Sequence, residues 1–397
     1  IMKIAGAIVT DKGGRTSHAA IVSRELGIPC IVGSNNATKL LKNGEGVTVD
    51  CSSGQVGNVY EGIIPFHIIE HKLDKMPKVD TKIMVNIGSP DESFRHHNLP
   101  AVGVGLGRLE FIIAEHIGIH PNALIDYKKL KSGKKTTEIN KVLKTIEAKT
   151  ADFANKEEFY VHHLALGIAK IAATFYPHDV IIRLSDFKTN EYRTLVGGDM
   201  YEPHEENPML GWRGASRYYD PKFKSAFGLE CKAMKRVRED MGLVNMIPMV
   251  PFCRTPEEGK QVIEVMKEYG LDRATDSKLK VYVMCEIPSN ILLADEFLEI
   301  FDGMSIGSND LTQLTLGLDR DSGIVTHIAN ENNEAVKKLV AEIIHKCKEK
   351  NKYIGICGQA PSDYPEFAQF LVKEGIESMS LNPDTVIKII MALAPTK

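Results

Sequence analysis

Short apolar runs recur along most of the chain, and stretches with apolar residues at helical spacing separate them. Eight runs have the pattern of buried strands: residues 83–87, 101–106, 180–184, 245–250, 281–286, 304–307, 353–357 and 379–381. Amphipathic stretches such as 257–269 and 333–350 lie between them. Regular alternation of strand and helix patterns predicts a parallel sheet of the α/β class.

The number of repeated units indicates how that sheet is arranged. Eight strand and helix units within residues 80–397 favour a (β/α)8 TIM barrel, with helical excursions around 122–175 and 211–241. A doubly wound open sheet is the alternative fold. We therefore expect a barrel domain over 80–397.

A smaller unit precedes the predicted barrel. From residue 4 to about 62, the apolar runs 5–9, 30–32 and 47–49 are separated by glycine-rich turns, and one helix is expected to start near Ser17. Residues 65–80 mix prolines, charges and a few apolar side chains, as linkers do. The expectation is a mixed α/β domain over 1–70.

Composition and charge narrow the class of protein. A chain of 397 residues is long enough for two domains, and its 25% charged residues and net charge of -3 are typical of globular enzymes rather than nucleic-acid-binding proteins. No apolar run approaches the ~20 residues of a membrane span, and the first residues lack the order of a secretory signal. Seven scattered cysteines without a C-x-x-C pair predict neither disulfides nor structural zinc. We expect a cytoplasmic enzyme without a membrane or nucleic-acid partner.

His18 is the first candidate for chemistry. It lies in G-G-R-T-S-H-A-A-I-V-S-R-E-L-G-I-P, where glycines and hydroxyl residues lead into a helix that Gly27 and Pro29 end. The free N–H groups and positive dipole end of a first helical turn would stabilise a phosphoryl group on the imidazole, which is a competent nucleophile. The alternative is an ordinary histidine near a well-capped helix start.

Polar residues that follow the predicted strands are the next candidates, because the chemistry of a TIM barrel lies at the carboxyl ends of its strands. Arg108 and Arg183 follow the second and third strands, and Arg213 comes later in N-P-M-L-G-W-R-G. Guanidinium groups bind phosphate and carboxylate in a bidentate manner, so three of them suit a small polyanion. Taken singly, each could instead form a surface salt bridge.

Two carboxylates and a thiol complete the set of candidates. Glu286 follows the fifth strand and Asp310 follows the sixth, and carboxylates on neighbouring strand ends are natural ligands for Mg²⁺. The alternative is a pair of ordinary loop carboxylates. Cys357 ends the seventh strand between glycines, where it is either a reactive group or a buried structural thiol.

These motifs carry a resemblance to a known family. G-G-R-T-S-H-A-A with L-G-I-P resembles the phosphohistidine swivelling domain of phosphoenolpyruvate (PEP)-utilising enzymes. G-L-G-R-L-E-F, V-I-I-R-L-S-D-F-K, N-P-M-L-G-W-R-G, M-C-E-I-P-S-N, S-I-G-S-N-D-L-T-Q-L and G-I-C-G-Q resemble their barrel, in order from about residue 5 to the end. Within the family, C-E-I-P-S-N and L-G-L-D-R-D favour the PEP synthases over pyruvate phosphate dikinases and the PEP-dependent sugar phosphotransferase enzyme.

The resemblance implies a reaction and a set of roles. The complete synthase converts ATP, pyruvate and water to AMP, PEP and phosphate through a phosphohistidine. The implied assignments are His18 as phosphoryl carrier, Arg108, Arg183 and Arg213 as anion clamps, Glu286 and Asp310 as Mg²⁺ ligands, Ser308, Asn309, Asp310 and Glu286 at the substrate, and Cys357 as acid/base.

The resemblance also predicts an incomplete enzyme. The ATP-grasp region that activates the histidine in the complete synthase is not in this sequence, and only seventeen residues precede His18. We expect a fragment with a truncated carrier domain, limited to the PEP and pyruvate half-reaction, within a homo-oligomer. An alternative of another class is a homo-oligomeric assembly subunit with reduced or no turnover.

Overall fold

A computed structural model describes residues 4–13, 19–20, 22–23, 27–52, 56–67, 70, 72–319, 325 and 328–394. The chain divides into two compact units, Ile1–His71 and Lys72–Lys397. Ser17 and the carrier candidate His18 lie outside the described residues, whereas Ala19, Ala20, Val22 and Ser23, in the helix predicted to start near Ser17, are described and helical.

The first unit contains two small sheets. Strands β1 (Ile8–Thr10) and β2 (Cys30–Val32) pair in parallel, β3 (Val47–Asp50) and β4 (Asn58–Glu61) pair in antiparallel, and helix α1 spans Ala37–Leu40. β1 starts later than the predicted run 5–9, because its pairing begins where Ile8 N donates to Pro29 O at 2.9 Å. β4 was not predicted, since Asn58–Glu61 is mostly exposed and lacks an apolar pattern.

The second unit is a closed barrel of eight parallel strands, in the order β10-β11-β12-β5-β6-β7-β8-β9. The strands are β5 (Lys82–Ile87), β6 (Val104–Arg108), β7 (Val180–Arg183), β8 (Met246–Val250), β9 (Tyr282–Cys285), β10 (Gly303–Ile306), β11 (Tyr353–Ile356) and β12 (Ser378–Leu381). β12 closes the barrel against β5, with Ser378 opposite Lys82 and Leu381 opposite Val85. The predicted barrel is confirmed, and the open-sheet alternative is wrong.

Helices surround the strands and fill the two predicted excursions. They are α2 (Pro90–His96), α3 (Leu109–Ile112), α4 (Pro121–Ile125), α5 (Tyr127–Ser132), α6 (Thr137–Lys149), α7 (Lys156–Thr174), α8 (Thr189–Tyr192), α9 (Ala215–Tyr218), α10 (Lys224–Glu239), α11 (Pro256–Glu268), α12 (Pro288–Leu292), α13 (Ala294–Ile300), α14 (Ser308–Leu316), α15 (Glu334–Glu349), α16 (Ala360–Asp363), α17 (Pro365–Glu374) and α18 (Val386–Leu393). A π-helical turn spans Ile113–Ile117, and 3-10 turns span Leu73–Lys75, Gly198–Met200 and Pro383–Thr385. No helix among the described residues is both long and apolar enough to cross a bilayer.

The second strand begins three residues later than its apolar run suggests. β6 starts at Val104 rather than 101, because Gly103 has a φ of +118°. A Cβ at Gly103 would lie 2.2 Å from Asp179 O, so only glycine allows the two backbones to approach there. A pattern of apolar letters does not reveal such a close approach.

Side chains fill the interior of the barrel. One buried cluster joins residues of β6, β7, β8 and β9 with the residue that follows β11: Leu106, Ile181, Ile247, Met249, Tyr282, Met284 and Cys357. Tyr282 and Tyr353 stack within it with ring centroids 4.5 Å apart. Residues of so many strands can touch only inside the barrel, so the barrel is packed and a small-molecule site belongs at its mouth.

Candidate active site

The ends of the parallel strands bring the predicted residues to one mouth of the barrel. Arg108 ends β6 and Arg183 ends β7, and the two residues are direct neighbours across the strand pair. Glu286 follows β9, and Cys357 follows β11. Asp310 lies in the first turn of α14, directly after β10. Because all eight strands run in the same direction, these five residues share one rim.

A chain of alternating positive and negative charges, all buried or partly buried, links this rim. Arg183 Nη2 lies 2.9 Å from Glu110 Oε1, and Arg183 Nη1 lies 3.8 Å from Asp186 Oδ2. Asp186 in turn accepts two hydrogen bonds from Arg213, one of them from Nε at 3.0 Å. Arg213 Nη1 donates to Asp310 Oδ1 at 3.3 Å. The network therefore connects the carboxyl end of β7 to the helix that follows β10.

The neighbouring charges keep this network ionised. Burial acts to lower the pKa of Arg183, but Glu110 and Asp186 outweigh it and raise that pKa above the ordinary value. Burial acts to raise the pKa of Asp186, but Arg213 outweighs it and lowers that pKa. The mouth thus presents fixed guanidinium cations held in place by carboxylates, which suits the binding of a small polyanion.

Glu286 and Asp310 form a buried acidic pair beside the arginines. Glu286 is 1% exposed and Asp310 is 6% exposed. Glu286 Oε1 accepts a hydrogen bond of 2.7 Å from Phe252 N, and a Cβ placed on Gly307 would lie 2.9 Å from Glu286 Oε2. Burial and then repulsion by Asp310 raise the pKa of Glu286 to about 8. Two buried carboxylates that repel one another are a donor set suited to a divalent cation.

Glu286 and Asp310 are two neighbouring carboxylates without a third metal-binding side chain among the described residues. Among the described residues, no group of three or more His, Cys, Asp and Glu side chains could hold a metal ion. Mg²⁺ usually takes one or two protein carboxylates and completes its octahedron with substrate and water oxygens. The Glu286 and Asp310 pair fits that mode of binding.

Asn290 holds the backbone that carries Glu286. Its Oδ1 accepts from Glu286 N at 3.1 Å and from Ile287 N at 3.0 Å, and its Nδ2 donates to Cys253 O at 2.7 Å. Asn290 is fully buried. The amide thus links the ends of β8 and β9 and restricts where the Glu286 carboxylate can lie.

Ser308 and Asn309 occupy the first turn of α14. Asn309 Oδ1 accepts from Gln359 N at 3.2 Å, which ties the loop after β10 to the loop after β11. Ser308 Oγ is buried and has no hydrogen-bond partner among the described residues. A Cβ on Gly358 would lie 1.8 Å from that oxygen, so glycine is required for the two loops to meet.

Cys357 faces the barrel interior at the same mouth. Its side chain is buried, and its N–H donates to Ile306 O at 3.0 Å. Burial raises the pKa of the Cys357 thiol to about 11. A hydrogen bond to Ser305 acts to lower this pKa, Glu286 acts to raise it, and Arg183 acts to lower it. The group is therefore a neutral thiol near pH 7 that can donate a proton.

Several residues of this site were missed from the sequence. Glu110 and Asp186 lie within the quoted motifs, two and three residues after strand-end arginines, and that spacing was the available signal. Glu230, on α10, had no comparable signal, although its carboxylate accepts from Ser185 N at 3.1 Å and from Ser185 Oγ. Burial raises the pKa of Glu230 to about 7.

A second buried charge cluster supports the excursion that carries Arg213. Arg217 pairs with both carboxylate oxygens of Glu202 and donates from Nε to Trp212 O at 2.8 Å. Its guanidinium carbon lies 4.0 Å from the Trp212 ring centroid. His120 Nε2 lies 3.0 Å from Glu202 Oε1. This cluster fixes the backbone four residues beyond Arg213.

The barrel and the contents of its mouth define the class of protein. The chain belongs to the PEP-utilising enzyme family: residues 69–397 match its PEP-binding domain and residues 1–54 match its mobile domain. The resemblance to this family predicted from the motifs is confirmed.

Several similar proteins belong to one group within the family. The chain is 55% identical over 431 residues to a phosphoenolpyruvate synthase of Aquifex aeolicus, covering 99% of this chain and 50% of that protein. It is 55% identical over 394 residues to the synthase of Synechocystis sp. (99% and 47% covered) and 52% identical over 397 residues to that of Escherichia coli (100% and 49%). The chain spans about half the length of the curated relatives it matches.

Proposed function

We propose that this chain carries out the PEP and pyruvate half-reaction of a phosphoenolpyruvate synthase. In the synthesis direction, a phosphoryl group moves from a histidine to the enol oxygen of pyruvate. The observation that carries the proposal is the convergence at one barrel mouth of the charge network Arg183–Asp186–Arg213–Asp310 with Glu286 and Cys357. The relatives favour this reaction over that of a dikinase or a sugar phosphotransferase enzyme.

The arginines bind the anionic groups of the substrate. PEP carries a carboxylate and a phosphate, and the buried Arg213 and the partly buried Arg183 lie next to each other through their shared partner Asp186. Arg108 neighbours Arg183 across the strand pair. Fixed guanidinium groups at the place where the phosphoryl group transfers stabilise its charge without reorganisation of solvent. Asn309 and Ser308, at the start of α14, are the proposed further contacts to the substrate.

Glu286 and Asp310 would hold Mg²⁺. Burial and then repulsion by Asp310 raise the pKa of Glu286 to about 8 even though Arg213 and Arg183 act to lower it, so a bound divalent cation would relieve the remaining repulsion between the two carboxylates. When bound, the ion supplies Lewis acidity for the negative charge that develops on the enol oxygen. Asn290 and Phe252 fix the backbone and the carboxylate of Glu286 by their hydrogen bonds.

Cys357 is the proposed acid and base at carbon. In the direction from PEP, the bond between the enol oxygen and phosphorus breaks, the phosphoryl group passes to the histidine, and the Cys357 thiol gives its proton to the methylene carbon. In the direction of synthesis, the thiolate takes a methyl proton of pyruvate and the enol oxygen attacks the phosphohistidine. A thiol whose pKa burial raises to about 11 is protonated at neutral pH and ready for the first direction.

His18 is the proposed carrier of the phosphoryl group. Support comes from its motif and from the mobile-domain match over residues 1–54. Activation of the histidine by ATP, through a region that is not in this sequence, is part of the same proposal. Assembly into a homo-oligomer and a cytoplasmic location are also proposed. Light scattering would measure the mass of the assembly.

Transfer of label from PEP tests this function. The chain is incubated with ³²P-labelled PEP and Mg²⁺, and acid-labile label on the protein is counted. We expect label on the wild-type chain and on His67→Ala, a control histidine in the same unit, and none on His18→Ala. Equal labelling of His18→Ala would refute the carrier role.

Exchange of the pyruvate methyl protons tests the barrel separately. We expect the chain to exchange these protons with deuterated water when Mg²⁺ and inorganic phosphate, which can occupy the phosphoryl position, are present. A folded wild-type chain with neither exchange nor labelling would favour an assembly subunit without turnover.

A further inference from the structure

Phe252 has an unusual backbone conformation at the mouth of the barrel. Its φ is +45°, in the left-handed region, and it is 2% exposed. The other described non-glycine residues with positive φ are Asn35 and Asn351. Asparagine tolerates this region, whereas a bulky residue there is a rare outlier. Such strain persists only where the surroundings impose it, and it concentrates at functional sites.

The backbone of Phe252 contacts one of the proposed metal ligands. Its N–H donates to Glu286 Oε1 at 2.7 Å in a buried setting. A hydrogen bond from a neutral donor to a carboxylate is stronger than one between two neutral groups and fixes the orientation of the acceptor. The other carboxylate oxygen, Oε2, lies beside Gly307, where an added Cβ would come within 2.9 Å of it.

The ring of Phe252 contacts two arginines. The guanidinium carbon of Arg213 lies 4.1 Å from the ring centroid, and that of Arg254 lies 4.8 Å from it. Both distances are within the range of cation–π attraction. Arg254 Nη2 also donates to Leu210 O at 3.1 Å and to Gly211 O, which holds the segment just before Arg213.

The backbone after Arg213 packs directly on the same turn. Ala215 N donates to Pro251 O at 3.0 Å. Gly214 has a φ of +56°, and a Cβ placed there would lie 2.5 Å from Pro251 O and 2.7 Å from Phe252 Cβ. The turn after β8 and the loop that carries Arg213 therefore fit together with no space for an added methyl group.

We propose that Phe252 is a positioning residue that couples the metal site to the anion site. Because φ is the torsion about the N–Cα bond, it fixes the direction of the ring relative to the N–H group. The left-handed value lets the N–H reach Glu286 while the ring lies against Arg213. One residue thus sets the positions of a proposed metal ligand and a proposed anion clamp. This inference rests on the proposed function.

Two substitutions separate the contributions of ring and backbone. Phe252→Leu keeps the apolar volume and the constrained backbone but removes the aromatic face. We expect it to weaken PEP binding roughly tenfold, since a desolvated cation–π contact is lost. Mn²⁺ affinity should stay within about twofold, since the N–H bond to Glu286 remains. Phe252→Gly removes the constraint itself, and we expect it to weaken Mn²⁺ binding by about tenfold or more as well, as loss of ligand orientation does.

The test uses the whole 397-residue chain with Mn²⁺ in place of Mg²⁺. Free Mn²⁺ is counted by electron paramagnetic resonance without substrate, and PEP affinity is then measured at saturating Mn²⁺ by calorimetry. Phe367→Leu, a fully buried phenylalanine on α17, is the matched control for the loss of core volume. Thermal unfolding of each variant shows whether it is folded at the assay temperature.

Two results would overturn the proposal. One is Mn²⁺ and PEP affinities of both variants within twofold of wild type. The other is a loss in each variant no greater than in Phe367→Leu. A wild-type chain that binds Mn²⁺ and PEP but neither exchanges protons nor takes up label would reject the proposed function alone, because the affinities still decide the role of Phe252.

Discussion

Replacement of Arg217 by methionine should destabilise the barrel in a way that depends on pH. Arg217 is 0% exposed and pairs with both oxygens of Glu202. Methionine of similar length fills the space between Trp212 and Tyr192 but removes the cation. Glu202 then lies buried with His120 as its remaining ionisable partner.

The expected loss follows from leaving a buried carboxylate without its cation. Breaking a buried ion pair by removing one partner costs about 3–5 kcal/mol of the free energy of unfolding. In the wild-type protein, burial lowers the pKa of His120, Glu202 opposes that shift, and Arg217 adds to it. Without Arg217, the pKa of His120 rises, so this histidine can take up a proton and replace the lost cation.

The sign of the pH dependence follows from that rise. In the wild-type protein the folded pKa of His120 lies below its unfolded value of ~6.5, so protonation of this histidine costs stability as pH falls through the unfolded pKa; a higher folded pKa in the variant reduces that cost at low pH and changes nothing at high pH. The Arg217→Met variant should therefore lose less stability at pH 5.5 than at pH 8.5. Adding His120→Asn should reduce the difference between the two pH values, and the part that remains comes from Glu202, whose pKa rises when the lowering effect of Arg217 is lost.

Denaturant unfolding at pH 5.5 and 8.5 measures both quantities. Arg236→Met is the matched control, because Arg236 pairs with Glu158 at 2.6 Å on the surface, where the two side chains are 26% and 42% exposed. We expect the control to lose less than ~1 kcal/mol. An Arg217→Met loss equal to that of the control, or one that is the same at both pH values, would refute the reasoning.

Three further predictions concern the site. Gly307→Ala places a Cβ 2.9 Å from Glu286 Oε2, and we expect the Mn²⁺ affinity measured by titration to fall ~10-fold or more. An unchanged Mn²⁺ affinity would argue against Glu286 as a metal ligand. Cys357→Ala should slow pyruvate proton exchange by about 10²–10⁴-fold while PEP affinity stays within a few-fold, and undiminished exchange would exclude the thiol. Glu110→Gln weakens the 2.9 Å ion pair with Arg183, and PEP affinity measured by calorimetry should fall roughly tenfold, because a charge-assisted hydrogen bond contributes about that factor to binding. An unchanged PEP affinity would mean that Arg183 needs no carboxylate partner.

The strands of the barrel could be predicted because each is a short apolar run, and their order followed from the alternation with helices. The mouth could be predicted for the same reason, because parallel strands place residues such as Arg183 and Glu286 on one rim. The sequence therefore predicted the site residues that lie at or just after the end of a strand.

The remaining features depend on contacts between distant segments. The pairing of Asp186 with Arg213 joins positions 27 residues apart, and that of Arg213 with Asp310 joins positions 97 apart. The left-handed φ of Phe252 occurs where its turn packs closely against Gly214, and no local preference of phenylalanine predicts it. A single sequence shows which residues end a strand, but not which neutralise or orient one another.

The convergence of Glu286 and Asp310 on one divalent ion is the claim on which the account depends most. Crystals of the chain grown with Mn²⁺ and oxalate, a planar dianion that resembles the enolate of pyruvate, would locate the ion by anomalous scattering. We predict one strong peak within coordination distance of a carboxylate oxygen of each residue, with oxalate held between Arg183 and Arg213. An ion bound at another face of the barrel, or a mouth that binds oxalate with no ion between the two carboxylates, would contradict the account.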